Sequence, residues 1–333
     1  MTQAMPTGLS DHLGAETYSP LGGRSMQWVD AASLPAELPE GAVVVAVDFA
    51  GALPDIDPRR FDALVTTCRG APRPWVSVAP ERLAAQLDAV RARVAAAPIA
   101  TAILARVLRI GEHLSFDDAL EIESLAYSTL LGGGEFARWL AGRLPHAHAV
   151  EAAPVVRYER DGDIVTLTLA APANHNAMTA GMRDALYEAL ANVLDDPTAL
   201  QLVLRGEGRS FSTGGHLPEF GSARDLAQAH TIRSLRSCAR LLNRLGERAE
   251  VRLQGACIGS GIEIPAAAAR RIGAPDSFMQ LPELRMGLIP GAGGTVSIAR
   301  AIGRHRLFWL VLGSFRLGAE QARDWGLLHD IER

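Results

Sequence analysis

The hydrophobic pattern changes period twice along the 333 residues. Residues 42–49, Ala-Val-Val-Val-Ala-Val-Asp-Phe, form an apolar run between Gly41 and Gly51 with the length and β-branching of a buried strand. Ahead of it, residues 1 to about 40 are rich in glycine, proline and serine and predict mostly irregular chain. Behind it, residues 59–67 predict a short helix and residues 75–78 a second strand. From Pro80 the period becomes helical: Leu83, Leu87, Val90, Val94 and Ile99 recur on one face, and a second helix is predicted over 101–113. Ser115-Phe116-Asp117-Asp118 resembles a capping box, with Asp118 in place of Glu or Gln. The helix it starts carries a stripe of Ala119, Ile122, Leu125, Ala126 and Leu130 as far as Gly132. A last short helix carries Phe136, Trp139 and Leu140, and residues 144–154 read as a linker.

From Val155 the pattern alternates. Ile164, Thr166 and Thr168 oppose Val165, Leu167 and Leu169 in a strand that ends before Pro172. Thr179 is placed to cap a helix running to Leu194 with Met182, Leu186 and Leu190 inward. Residues 200–204 predict a buried strand, 209–216 a glycine loop, and the stretch to about Ala229 a mobile segment. A helix over 230–245, a strand over 251–254 and a helix near 295–302 follow. Strand, turn and helix repeated in this way predict an α/β fold with its sites on loops at strand ends. The chain thus divides into a small irregular or α/β segment (1–79), a helical segment (80–143), the linker (144–154) and an α/β core (155–333).

Composition narrows the function classes. A hydrophobic fraction of 48% supports a sizeable core, and a net charge of −4 gives no general attraction to nucleic acid or anionic membranes. All 33 basic residues are arginine, which excludes a lysine Schiff base and a P-loop lysine. Cys68, Cys238 and Cys257 are odd in number and far apart, so neither a disulfide scaffold nor a structural zinc site is expected, and a reducing compartment fits. The N-terminus lacks a signal-peptide pattern, and no apolar window of membrane-spanning length is free of charge. These features point to a cytoplasmic protein with no nucleic-acid or membrane partner. His146 and His148 form an HxH pair without a nearby third ligand and read as solvated linker, so no metal is expected.

The chemistry concentrates between Gly255 and Gly294. This stretch sets two glycine-rich turns around two carboxylates, Glu263 and Glu283, each with apolar neighbours: Ile262 and Ile264 for the first, Leu281 and Leu284 for the second. Burial raises carboxylate pKa values and suits such groups to proton transfer near neutral pH. Backbone N–H groups at a helix start are unsatisfied and lie at the positive end of the helix dipole. Two of them from separate loops, one around Thr213 and one around Ser260, would form an oxyanion hole for an enolate. Plainer roles stand beside these: Glu263 as a first-turn carboxylate, and Glu283 as a partner of Arg270 or Arg271.

Five motifs carry a resemblance: Asn176-Ala177-Met178; Gly208 to Gly215 (GRSFSTGG); Gly255 to Glu263 (GACIGSGIE); Leu281 to Leu288 (LPELRMGL); and Pro290 to Thr295 (PGAGGT). In order and spacing, residues 155–328 resemble the crotonase (enoyl-CoA hydratase/isomerase) superfamily. The resemblance implies a spiral of ββα units with flanking helices, acyl-CoA thioester substrates, no cofactor beyond the coenzyme A of the substrate, and trimers or dimers of trimers. By match to the motifs it places the Thr213 and Ser260 N–H groups at the oxyanion hole. It places Asn176, Ala177, Met178, Gly214, Gly259, Pro290 and Gly291 at the substrate or coenzyme A. Glu263 and Glu283 fall at the two glutamates that, in hydratases, add water to a 2-enoyl-CoA. Double-bond isomerisation, thioester hydrolysis and a catalytically silent CoA-binding scaffold are the alternatives within the same fold.

Three residues depart from the family pattern: Ser260 stands for the usual glycine, His216 for a common aspartate, and Pro265 breaks the turn after Glu263. His216 reads either as a loop anchor or as an acid/base group of the site. The family also continues beyond the equivalent of Gly326-Leu327-Leu328 with helices that finish the domain. Residues 75–143 resemble that piece, through Val76 to Pro80, Ala96-Ala97-Pro98, Glu121, Glu123 and Glu135-Phe136. One reading is therefore a circular permutation closed by the linker, whose eleven residues reach ~36–40 Å extended. The other is an unrelated helical domain on a truncated core.

Overall fold

The computed structural model describes residues 16–39, 41–143 and 154–332. Its first sheet is four-stranded and wholly parallel, in the order β1 (Met26–Asp30), β2 (Val43–Asp48), β3 (Ala63–Thr66), β4 (Val76–Ser77). Every residue of β2 is buried, because the sheet is covered on both faces. Val43, Val45 and Val47 join the main core, while Val44 and Ala46 meet Phe61, Leu64 and Trp75 on the other side. Two expectations change here. Residues 26–30 are a strand, not irregular chain, and the helix expected over 59–67 is a three-residue 3-10 turn (Pro58–Arg60) followed by β3. Sheet pairing decides it: β3 pairs with β2 in the register Val45↔Ala63, which sends Ala63 and Val65 into the main core and Leu64 into the smaller one.

Four helices follow: α1 (Pro80–Ala96), α2 (Pro98–Gly111), α3 (Phe116–Leu131) and α4 (Gly134–Ala141). Pro98 separates the first two, since a residue before proline is held out of the helical region, and Ala97 sits at φ −139°. The Glu135 carboxylate then accepts the free N–H groups of Ile99 and Ala100 at the start of α2. Ser115 caps α3 through the Asp118 N–H, as the sequence predicts.

The remaining chain winds through two further sheets. Strands β5 (Val156–Asp161), β6 (Ile164–Leu169) and β7 (Gln201–Gly206) begin a six-stranded sheet, with helix α5 (Ala180–Asp195) between β6 and β7. Helices α6 (Leu226–Leu235) and α7 (Cys238–Leu245) come next. The sequence predicts one helix over 230–245 after a mobile stretch; instead Asp225 caps α6 and Ser237 caps α7, so the rod begins earlier and is broken. Then β8 (Ala249–Leu253) lies in the large sheet and β9 (Ala256–Ile258) in a three-stranded one. After the single-turn helix α8 (Ser260–Glu263) the alternation repeats, with β10 (Arg270–Gly273) in the large sheet and β11 (Phe278–Gln280) in the small one. Helices α9 (Gly294–Ile302) and α10 (Arg304–Gly313), strand β12 (Leu317–Gly318), helix α11 (Ala319–Asp324) and strand β13 (Asp330–Ile331) complete it. Two strands in two sheets, then helix: this is the expected spiral of ββα units.

The N-terminal segments are built into this spiral. Residues of α1 to α4 share one continuous hydrophobic cluster with β6 to β9, β11, α9 and α10. The start of α10 reaches across to the first sheet: Arg304 donates to the Phe61 carbonyl and Arg306 to the carbonyls of Trp75 and Ala71. Buried guanidinium groups satisfied by several carbonyls fix these surfaces in one register. Among the described residues no single helix is long and apolar enough to cross a membrane.

Candidate active site

Two loops run side by side at the ends of β7 and β9. Ser212 and Cys257 form a parallel bridge, tied by Ser212 N to the Ala256 carbonyl and by Ile258 N to the Ser212 carbonyl. Beyond that pair Gly214 lies against Ile258 and Gly259, and Gly215 and Ser260 are the residues that follow on the two loops. This corrects the expected donor on the first loop. The Thr213 N–H is given to the His175 carbonyl at 3.1 Å, whereas the Gly215 N–H makes no hydrogen bond among the described residues. The Ser260 N–H, at the first position of α8, also makes none among the described residues. The Ser260 hydroxyl is buried without a partner. Gly261 shows why the loops abut so closely: a Cβ there would come within 2.3 Å of the Ser212 carbonyl oxygen.

The two carboxylates flank one glycine. At Gly259, whose φ of +52° favours glycine, a Cβ would meet Glu283 Oε1 at 3.0 Å and Glu263 Oε1 at 3.8 Å. Glu263 Oε2 accepts the N–H groups of Ala292 (2.7 Å) and Gly294 (3.1 Å) from the second glycine turn. Glu283 Oε2 is buried and has no hydrogen-bond partner among the described residues. The plainer role of Glu283 falls away, since Arg270 pairs with Glu250 and Arg271 donates to the backbone carbonyls of Leu327 and Ala268, while Glu263 does lie in the first turn of α8. Pro265 acts as expected, ending α8 at Glu263 and starting a 3-10 turn.

A third buried acid completes the cluster, and its role is not read from the sequence. Glu123, on α3, accepts the Gly293 N–H at 2.7 Å, the Thr295 N–H at 2.8 Å and the Thr295 hydroxyl at 2.6 Å. The signal was a carboxylate beside the apolar stripe of α3, next to Ile122. Burial dominates the electrostatics of all three acids. It pushes Glu283 up to about 8 and Glu123 up to about 7, the latter held back by its Thr295 and Gly293 donors. It also raises Glu263 well above the ordinary carboxylate value, with the charge of Glu283 adding to the effect. Protons are therefore available on this cluster near neutral pH.

These groups open into a cavity of about 540 Å³ between α3, α6 and the two glycine loops. Among the residues the sequence singled out, Met178, Thr213, Gly214, His216, Gly259, Ser260, Glu263, Glu283 and Gly291 line it. Asn176, Ala177 and Pro290 do not. Asn176 is fully buried, and its amide accepts from Ala171 N and donates to the carbonyls of Glu207, Ser210 and Phe211. It clamps the first glycine loop in place. His216 lies with Nδ1 3.7 Å from Glu219 Oε1. Among the described residues no cluster of three or more His, Cys, Asp or Glu side chains could hold a metal ion. The His146–His148 pair and nearly all of the linker lie outside the described residues.

A profile of the enoyl-CoA hydratase/isomerase family matches residues 159–332. A probable enoyl-CoA hydratase of Bacillus subtilis is 30% identical over 165 residues, covering 46% of this chain and 62% of that protein. The 1,2-epoxyphenylacetyl-CoA isomerase of Escherichia coli is 31% identical over 173 residues, covering 50% of this chain and 66% of that protein. The chain thus spans less than two thirds of the length of either relative. An enoyl-CoA hydratase/carnithine racemase of Magnetospirillum magneticum superposes with a TM-score of 0.50 at 22% identity, over 54% of this chain and 68% of that one, a likeness of fold. More than half of the residues match the family profile, and the loops it contains close on one cavity: the chain belongs to the enoyl-CoA hydratase/isomerase family, in the crotonase superfamily.

Proposed function

We propose that the chain adds water to the double bond of a 2-enoyl-CoA, giving the 3-hydroxyacyl-CoA, and catalyses the reverse dehydration. The observation that carries this reading is the convergence of Glu263 and Glu283 on Gly259, with the Gly215 and Ser260 N–H groups uncommitted on the loops beside it. The thioester oxygen is taken by those two N–H groups. They strengthen their hold as negative charge develops, a donor in such a site being worth ~3 kcal/mol. Glu263 acts in its ionised form, which the Ala292 and Gly294 N–H groups on Oε2 favour against burial; its other oxygen holds water and takes a proton as the water oxygen attacks C3. Glu283, raised to about 8 and so protonated at neutral pH, donates its proton to C2 of the enolate. Water oxygen and C3 form one bond, C2 and a proton another, and the carbon–carbon π bond is consumed. The chemistry draws on the chain's own groups and the coenzyme A of the substrate.

A panel of CoA thioesters tests this: crotonyl-CoA for hydration, a 3-enoyl-CoA for isomerisation, and saturated acyl-CoA for hydrolysis. Hydration of crotonyl-CoA without release of free thiol is the expected outcome. Thiol release, or double-bond migration alone, would assign the site to hydrolysis or isomerisation instead. The reading carries a trimer or dimer of trimers with it, which sedimentation equilibrium checks.

A further inference from the structure

The cavity holds a cation that hydration does not use. Arg233, on α6, spans to α3, where Nη1 donates to the Ser124 carbonyl (3.3 Å), the Ser124 hydroxyl (3.0 Å) and the Ser128 hydroxyl (3.0 Å). Its Nε and Nη2 make no hydrogen bond among the described residues, and no carboxylate of the described residues lies within ion-pair distance. Three other arginines lining the cavity have carboxylate partners: Arg183 has Asp184, Arg236 has Asp184 and Glu188, and Arg240 has Asp117 and Glu121, while Arg224 is exposed to solvent. The Arg233 guanidinium lies over the Tyr127 ring, 4.5 Å from its centroid, and the Tyr127 hydroxyl has no hydrogen-bond partner among the described residues either. Burial lowers the pKa of Arg233 and raises that of Tyr127. The guanidinium nevertheless stays charged at neutral pH. Half-buried on the cavity wall, this cation keeps two donor groups available to an anionic ligand.

Its place in the cavity identifies what that anion is attached to. The thioester oxygen belongs at Gly215 and Ser260, and C2 and C3 belong at the two glutamates, so the acyl chain beyond C3 continues on the glutamate side. Tyr127 stands on that side. Its ring lies against Gly291, where a Cβ would come within 2.3 Å of it, and the next residue, Ala292, holds Glu263. Resting on the reading of the site as one for acyl-CoA thioesters, we propose that the acyl group ends in a carboxylate, with Arg233 as its counter-ion and the Tyr127 hydroxyl as a second donor. The substrate class is then the ω-carboxyacyl-CoA thioesters. A guanidinium edge presenting Nε and Nη2 suits a carboxylate in two-point contact.

Calorimetry on the full chain tests this without turnover, using matched saturated ligands: adipyl-CoA against hexanoyl-CoA, succinyl-CoA against butyryl-CoA, and free coenzyme A. For at least one pair the carboxylate ligand is expected to bind roughly tenfold or more tighter. Arg233→Met should erase that difference while leaving hexanoyl-CoA, butyryl-CoA and coenzyme A unchanged, and Arg233→Lys should keep part of it. Tyr127→Phe, which keeps the ring, should reduce the preference a few-fold and serves if the methionine variant does not fold. Equal binding within both pairs overturns the proposal. So does a loss on Arg233→Met shared by all five ligands, which marks a helix tether or a contact to the coenzyme A phosphates. Equal binding with crotonyl-CoA turnover sinks this inference and leaves hydration standing. A carboxylate preference without turnover does the reverse, and no binding of any ligand overturns both.

Discussion

Glu263 and Glu123 share one stretch of backbone by taking alternate N–H groups. Glu263 accepts from Ala292 and Gly294, and Glu123 from Gly293 and from Thr295. Glycines at 293 and 294 let the chain pass this close to two carboxylates: a Cβ at Gly294 would lie 2.6 Å from Glu263 Cγ. The Glu263 carboxylate of the spiral is thus held by a turn that an acid of the N-terminal helices holds from the other side.

Truncating Glu123 should loosen the site from behind. Glu123→Ala leaves the Gly293 and Thr295 N–H groups and the Thr295 hydroxyl buried without an acceptor, at about 1–3 kcal/mol for each group left unpaired. A loss of several kcal/mol in urea unfolding is expected, with kcat falling more than KM rises. A loss under 1 kcal/mol would show that the turn holds itself.

Stability should fall as pH rises between 6.5 and 8. Glu283, at about 8, and Glu123, at about 7, bind protons in the folded chain that they have released in the unfolded one. Each such group contributes a decline of up to about 1.4 kcal/mol per pH unit. Below 6.5 the trend is opposed by His305, which burial lowers to about 4 and which must be neutral to fold. Urea midpoints across this range check the sign, and Glu283→Gln should flatten the slope. Activity should fall above about pH 8, where Glu283 loses the proton it donates. The acids titrate as a unit, so the profile belongs to the cluster.

The loop donors separate by substitution. Thr213→Ala should leave kcat unchanged, because the Thr213 N–H is already committed to His175. Ser260→Ala should also retain activity, since its hydroxyl has no partner and its N–H remains. Gly215→Ala places a Cβ 2.7 Å from the Phe220 ring, shifts the loop and should lower kcat by ~10–100-fold in view of what one such donor is worth. Steady-state kinetics with crotonyl-CoA would reverse this assignment if Thr213→Ala were the damaging change.

The helical segment should be separable in sequence but not in space. Residues 80–143 lie against α9 and α10 and supply Glu123 to the second glycine turn. We propose that this segment takes the place of the family's final helices, as a circular permutation requires. Residues 154–332 expressed alone are expected to be insoluble or molten, and co-expression with residues 1–143 to restore a cooperative transition. A stable, active 154–332 fragment would overturn the permutation reading.

Much of this was legible in the chain because it is local. The alternation of residues 164–169, the Thr179 and Ser115 caps and the glycine spacing around Glu263 each report on a few neighbouring residues. What failed depends on distant partners. Residues 63–66 became a strand because β2 pairs with them. The break between α6 and α7 is the exception, a local one: the Asp225 and Ser237 caps act within three residues but do not disturb the periodicity that runs the two helices together. Thr213 and Gly215 look alike as loop donors until the His175 carbonyl, 38 residues away, takes one of them. Glu123 lies 170 residues from the N–H group it accepts, beyond any motif.

The central claim, hydration by two glutamates opposite two N–H donors, is tested most directly by the loss of enoyl absorbance of crotonyl-CoA at pH 7. The account predicts turnover by the unaltered chain and a fall of ~10²–10⁴-fold for Glu263→Gln and for Glu283→Gln, each with its thermal midpoint retained. Undiminished turnover in both variants, or no turnover on any enoyl-CoA by the unaltered chain, would contradict it.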